Sequence, residues 1–176
     1  TGYGSDVKYE VVDKTLLKDY LNVTLVEGNV TAVGSSSVDG TASLEKDEIQ
    51  IDGKIYKIGD ADVRTILGFY VDAYIYEDSK TKNDTLLLAR PIEGKNSSIT
   101  ITSDNIDSIE NTESSKVLNY WKDKDSDKKT SKATVSTDAK VLYNGKSGSF
   151  DDFKEINSGS ISLLDTTGNG IYNIVF

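Results

Sequence analysis

The sequence predicts an all-β protein, mainly antiparallel with a few short helices, arranged as two tandem barrel- or sandwich-like modules. Strict apolar–polar alternation flanks a turn pair in Glu48-Ile-Gln-Ile51, Asp52-Gly53, Lys54-Ile-Tyr-Lys-Ile58. Ten Tyr and frequent β-branched residues suit half-buried strands. The order hairpin, helical turn, hairpin occurs twice along 176 residues, a length that fits one large or two small domains.

Taken in order, Asp13 is placed to cap a short helix whose Leu16, Leu17, Tyr20 and Leu21 share one side. The β-branched run from Thr24 to Val33 reads as a bent strand with a bulge at Gly28 and ends at the Gly34-Ser-Ser-Ser37 loop. Asp52-Gly53 fits a type I′ hairpin, because both turn positions need positive φ. Asp60 is placed to cap a helical turn through Val63, Ile66 and Leu67, stopped by Gly68. A second hairpin pairs the run from Tyr70 to Tyr76 with that from Thr85 to Ala89, and Pro91 closes the segment. In the later half Asn144-Gly145 overlays Asp52-Gly53, a helical turn follows at 151–156, and strands at 160–164 and 171–176 mirror the second hairpin. The division expected is a segment over 1–23 with the short helix, a β module over 24–95 and another over 96–176.

Composition closes many chemistries. With no His and no Cys there is no Ser-His-Asp triad, cysteine nucleophile, imidazole or thiolate zinc site, or disulfide. The net charge of −9, divided as −6 over residues 1–95 and −3 over 96–176, repels phosphate backbones and anionic headgroups. Neither nucleic acid nor membrane insertion is therefore expected, and no apolar run approaches the roughly 20 residues of a spanning helix. The start at Thr1 without Met suggests a processed or excised segment, so the missing signal sequence says nothing about export.

The sharpest motif is Leu163-Leu-Asp-Thr-Thr-Gly-Asn-Gly-Ile-Tyr-Asn-Ile-Val175, with Asp165, Thr167, Asn169, the Ile171 carbonyl and Asn173 at calcium-loop spacing. Asp165 is its only carboxylate, and strands flank it where an EF-hand has helices. The expected structure is an Asx-stabilised hairpin turn; no cofactor is expected, and calcium binds at best weakly, on the order of millimolar. Acidic residues alternate with lysines in Asp123-Lys-Asp-Ser-Asp-Lys-Lys129, the pattern of a solvated loop. Asp60, Asp62, Asp151 and Asp152 are candidates for paired-carboxylate hydrolysis, but capping at helix starts already accounts for them. Tyr70, Tyr74 and Tyr76 with Tyr120 and Trp121 could form a platform for sugars or pair across strands and fill a core. Asn22, Asn29, Asn83 and Asn96 fall in glycosylation-type triplets of the kind Asn/Ser/Thr-rich chains produce by chance.

Several stretches together resemble the β-rich region that follows S-layer homology repeats in secreted cell-surface proteins of Gram-positive bacteria such as clostridia. They are Gly28-Asn-Val-Thr-Ala-Val33, Asp47-Glu-Ile-Gln-Ile-Asp-Gly-Lys-Ile-Tyr56, Gly59-Asp60, Leu67-Gly-Phe-Tyr-Val71, Val141-Leu-Tyr-Asn-Gly-Lys146 and Leu163 to Tyr172. The likeness covers about residues 25–176, although such relatives commonly carry Asp where this chain has Thr167, Asn169 and Asn173. It implies a non-enzymatic structural or spacer module of an extracellular, wall-associated protein, with a glycan- or host-ligand-binding adhesin module as the alternative. Cell-wall polymer or neighbouring surface-protein modules are the partners implied. The S-layer homology repeats that anchor such proteins are absent from this chain.

Overall fold

The computed structural model describes residues 14–41, 43–81 and 83–176, with side chains from residue 17 onward. The protein is all-β, mostly antiparallel, with one α-helix among the described residues, α1 (Lys14–Leu21). The proposed cap at Asp13 lies outside them. Asn22 follows α1 at φ 53, a left-handed conformation that ends the helix and turns the chain into the first sheet.

That sheet holds β1 (Val23–Val33), β2 (Ser36–Ser37), β3 (Glu48–Ile51), β4 (Lys54–Ile58), β5 (Tyr70–Tyr76) and β6 (Thr85–Pro91) in the order β2-β1-β3-β4-β6-β5. A further pairing of β1 with β5 closes it into a barrel. The long first strand makes closure possible: Val23 to Asn29 pair with β5, and Val30 to Val33 pair with β3. The bulge predicted at Gly28 falls instead between Val30 and Ala32, where the register against β3 shifts. Without β2, the ring runs first, second, third, fifth, fourth and back to first, with one parallel junction between β4 and β6. This is the connectivity of the Greek-key barrel called the OB-fold, which by itself assigns no function.

The second sheet holds β7 (Ser97–Thr102), β8 (Ile106–Asn111), β9 (Lys116–Tyr120), β10 (Ser131–Tyr143), β12 (Ser160–Asp165) and β13 (Tyr172–Val175), while β11 (Lys146–Ser147) pairs only with β10. Its order is β7-β12-β13-β10-β9-β8, and its parallel junction joins β10 and β13. Here β7 and β8 are consecutive, separated by a 3-10 turn at Ser103–Asn105. One pairs with β12 and the other with β9, so between them they take the two neighbours that β1 takes alone, but they do not pair with each other and the second barrel stays open there. The same connectivity thus occurs twice, but along a different alignment from the one the turn pairs suggest. Asp52-Gly53 joins the second and third barrel strands, and its equivalent is the long loop between β9 and β10. Asn144-Gly145 belongs to the added β10–β11 hairpin.

Each barrel encloses its own core. Val30, Ile49, Ile51, Tyr56, Val71 and Ile75 fill the first; Leu118, Val135, Phe150, Phe153, Ile161 and Val175 are central to the second. No helix forms at 60–67. Residues 59–69 are irregular turns that bury Val63 and Ile66; the Gly68 N–H and the Phe69 carbonyl bond to Val30, and the Phe69 N–H closes a turn on the Ile66 carbonyl. The later helical turn does form, as a 3-10 helix at Phe150–Phe153 with a Ser149/Asp152 capping box that buries both Phe residues.

Both expected turn pairs have positive φ throughout, with Asp52 at 45°, Gly53 at 83°, Asn144 at 52° and Gly145 at 76°. A Cβ on Gly53 would meet nothing within 4 Å, so a side chain there acts only through the backbone. Gly53→Val should therefore cost roughly 1–2 kcal/mol, lowering the thermal midpoint by about 2–8 °C. An unchanged midpoint would contradict the left-handed requirement.

Candidate functional site

The loop between β12 and β13 starts from a buried carboxylate. Asp165 is 1% exposed, and its Oδ1 accepts from the Thr167 N–H at 2.8 Å, the Thr167 hydroxyl at 2.8 Å and the Gly168 N–H at 3.0 Å. Its Oδ2 accepts from the Gly170 N–H at 2.8 Å. Burial pushes the Asp165 pKa up, but the bonds from Thr167, Gly170 and Gly168 outweigh it and hold the group below its ordinary value.

The other candidate ligands turn elsewhere. Asn169 Oδ1 accepts from the Ile171 N–H at 2.8 Å, and Asn173 Oδ1 accepts from the Thr166 N–H at 2.9 Å. Asp165 and Thr167 are brought together; Asn169 is exposed, as is Ile171, while Asn173 faces Thr166. The side-chain oxygens are thus directed at the loop's own donors, so a cation would have to displace hydrogen bonds before it gained ligands.

One residue in this loop reaches the other barrel. The Thr166 hydroxyl accepts from Asn173 Nδ2 at 2.9 Å and from Asn29 Nδ2, on β1, at 3.1 Å. Asn96, between the barrels, accepts from the Tyr70 N–H at 2.8 Å and donates to the Tyr70 and Ile92 carbonyls. In sequence Asn29 and Asn96 stood out only as glycosylation-type triplets, and nothing local signals these clamping roles.

The remaining acidic candidates are spent locally. Asp62 binds its near neighbour Arg64 through Nε at 2.9 Å and Nη2 at 2.7 Å, which lowers its pKa to about 2. Asp151 pairs with Lys154, Asp152 accepts from the Ser149 N–H, and Asp60 is exposed with no helix to cap. In the lysine-rich loop Asp123 accepts from the Ser126 hydroxyl and the Asp125 N–H. Tyr70, Tyr74 and Tyr76 lie on the outer face of β5, while Val71, Ala73 and Ile75 point into the core. The tyrosines therefore do not fill the barrel. No group of three or more Asp or Glu arranged to hold a metal occurs among the described residues.

Comparison with known proteins returns nothing: no family model, curated protein or solved structure matches the chain. The site has to be read from its own geometry.

Two clefts also lie among the described residues. One, of about 490 Å³, is bordered by Thr31, Ser37, Asp39, Gln50 and, from the second barrel, Lys140. Thr31 donates to Gln50 Oε1 and Ser37 to Asp39 Oδ1; the Ser37 hydroxyl and the Thr41 N–H hold Asp39 down at about 2. The other, of about 360 Å³, lies beside the β10–β11 hairpin.

The Asp165 network has a pH signature. Its folded pKa lies below 3.8, so the loop's contribution is complete above that value and is lost as pH falls through the depressed one. Asp165→Ala should destabilise the protein by roughly 2–4 kcal/mol at neutral pH, since charged hydrogen bonds and burial are lost together. Denaturant titrations of the two proteins should converge as the solution is acidified. Excess EDTA should leave the wild-type melting temperature unchanged, and a large drop would make the loop a true metal site.

Proposed function

We propose that the chain is a non-catalytic structural spacer of an exported bacterial cell-surface protein, holding neighbouring modules at a fixed separation. The junction between the barrels is the observation that carries this reading. Leu164 and Ile174, on the outer face of β12 and β13, are buried in a cluster with Val38 and Leu142, and Leu67, Phe69 and Phe176 pack against it. Phe69 also packs on the core of the first barrel, so the two modules share side chains as well as a linker. The Asn29–Thr166 bond adds a directional contact that discourages the barrels from rotating about the apolar patch. Such a joint suits a part whose task is to keep distance and orientation.

The exported location rests on the resemblance of the motifs to the region beside S-layer homology repeats. A chain free of Cys, net acidic and rich in capped turns is compatible with it. Cell-wall polymer or adjacent modules of the same protein are the proposed partners.

Gly68 tests the joint. Its φ is +87°, and a Cβ there would come within 3.0 Å of Ile174 Cδ1 and 3.1 Å of Leu164 Cδ2. Gly68→Ala should cost about 1–2 kcal/mol through the backbone alone and loosen the junction as well. Nuclear relaxation should give the wild-type barrels one common tumbling time and the variant two. Two independent times in the wild type would refute a rigid spacer. For location, protease applied to intact source cells should cleave the protein; full protection until the cells are lysed would refute export.

A further inference from the structure

The smaller cleft, on the second barrel, includes none of the Asp165-loop residues, and it shares only Phe176 with the junction cluster. Its lining includes Tyr143, Asn144, Phe153, Glu155, Asn157 and Ser158. One wall is rigid, because the Tyr143 and Phe153 rings meet edge to face with centroids 5.3 Å apart at 79°, and Phe153 is anchored in the core. The 3-10 helix carrying Phe153 is fixed by its capping box, and the loop bearing Glu155, Asn157 and Ser158 follows directly.

The two clefts differ in how their polar groups are engaged. In the larger one Thr31, Gln50, Ser37 and Asp39 bond to one another. In the smaller one Asn144, Glu155, Asn157 and Ser158 make no side-chain hydrogen bond or ion pair to the described residues. Amides, a hydroxyl and a carboxylate thus converge beside an aromatic side chain with their bonding capacity open.

We propose that this cleft binds a short saccharide, neutral or bearing an amino group. Sugar C–H faces pack on aromatic rings, and vicinal hydroxyls match groups that both donate and accept, as Asn144, Asn157 and Ser158 do. Glu155 accepts from paired hydroxyls or from an ammonium group. The lining contains no Lys or Arg, so a phosphate, sulfate or uronate would find no counter-charge in a chain of net charge −9. A volume of about 360 Å³ sits at the small end of ligand sites and suits one or two sugar rings. The site binds without cleaving: glycoside hydrolysis needs two facing carboxylates, whereas Asp151 and Asp152 are engaged by Lys154 and the Ser149 N–H. This inference is independent of the spacer reading, since a spacer functions with the cleft empty.

The test is an NMR titration of the intact chain with cellobiose, N,N′-diacetylchitobiose and glucosamine, with cellobiose sulfate as the anionic control. At least one of the first three should give saturable shifts centred on Asn144, Asn157 and their neighbours. The dissociation constant should be on the order of millimolar, as a shallow polar contact allows. Glu155 and Asn157 are exposed and lie outside the core clusters, so a Glu155→Gln/Asn157→Ala variant should keep its melting temperature. It should bind about tenfold more weakly, in line with loss of a charged hydrogen bond. Absence of saturable shifts with all three sugars overturns the proposal. So does equal binding by the variant, or a preference for the sulfated control.

Discussion

The burial of Leu164 and Ile174 against Leu67 and Phe69 is the constraint on which the rest of the molecule depends. It makes β12 and β13 two-sided, since Leu163 and Val175 face the barrel core while their chain neighbours face the other barrel. A strand buried on both faces loses alternation and reads as paired apolar residues, as at Leu163-Leu164 and Ile174-Val175. The same contact requires residues 66–69 to lie flat on the first barrel. Their backbone is tied there by Gly68 N–H to the Val30 carbonyl at 2.8 Å and Val30 N–H to the Phe69 carbonyl at 2.9 Å.

The polar contacts around this patch define its geometry. Apolar burial is non-directional and tolerates sliding; the Asn29–Thr166 bond and the Asn96 bonds to Tyr70 do not. Thr166 is positioned by Asn173 across the β12–β13 hairpin, and that hairpin's loop is organised by Asp165. A motif with the spacing of a cation loop is thereby tied to the joint between barrels. The Asp165 carboxylate, surrounded by backbone N–H groups, orders the loop from within.

What could be read from the sequence depended on range. The Asp52-Gly53 hairpin and the strands of both halves were legible because turn chemistry and alternation act between close neighbours. The pairing of β4 with β6 and of β10 with β13 was not, because parallel partners lie far apart in the chain and carry no local mark. The repeat is visible as an order of elements, but the turn pairs point to the wrong alignment, because Asn144-Gly145 imitates a turn that in the second barrel has become a long loop. The helical turn expected from Asp60 to Leu67 has acceptable spacing, but the Gly68 N–H and the Phe69 carbonyl bond to Val30 on β1, which ties this segment to the sheet instead. At the Asp165 loop the Asx bonding followed from residue type. The role of Asn29 did not, since one amide donor on a strand resembles any other until the second barrel is in place.

The 3-10 turn that divides β7 from β8 has a consequence for how this protein behaves in a crowd. In the first barrel β1 runs unbroken from one partner strand to the other, so the ring has no free edge there. In the second, β7 and β8 each pair on one side only among the described residues, leaving a seam where two strand borders meet without a ladder. Such a border can template the addition of a foreign strand, the first step toward fibrous aggregates. The strands on either side are composed against that event. β8 carries Asp107 and Glu110, β7 alternates Ser and Thr with Ile, and the turn between them changes the chain's direction before a long flat edge can form. Segmenting the strand leaves a gap in the ring, and charge and brevity keep that gap from recruiting neighbours.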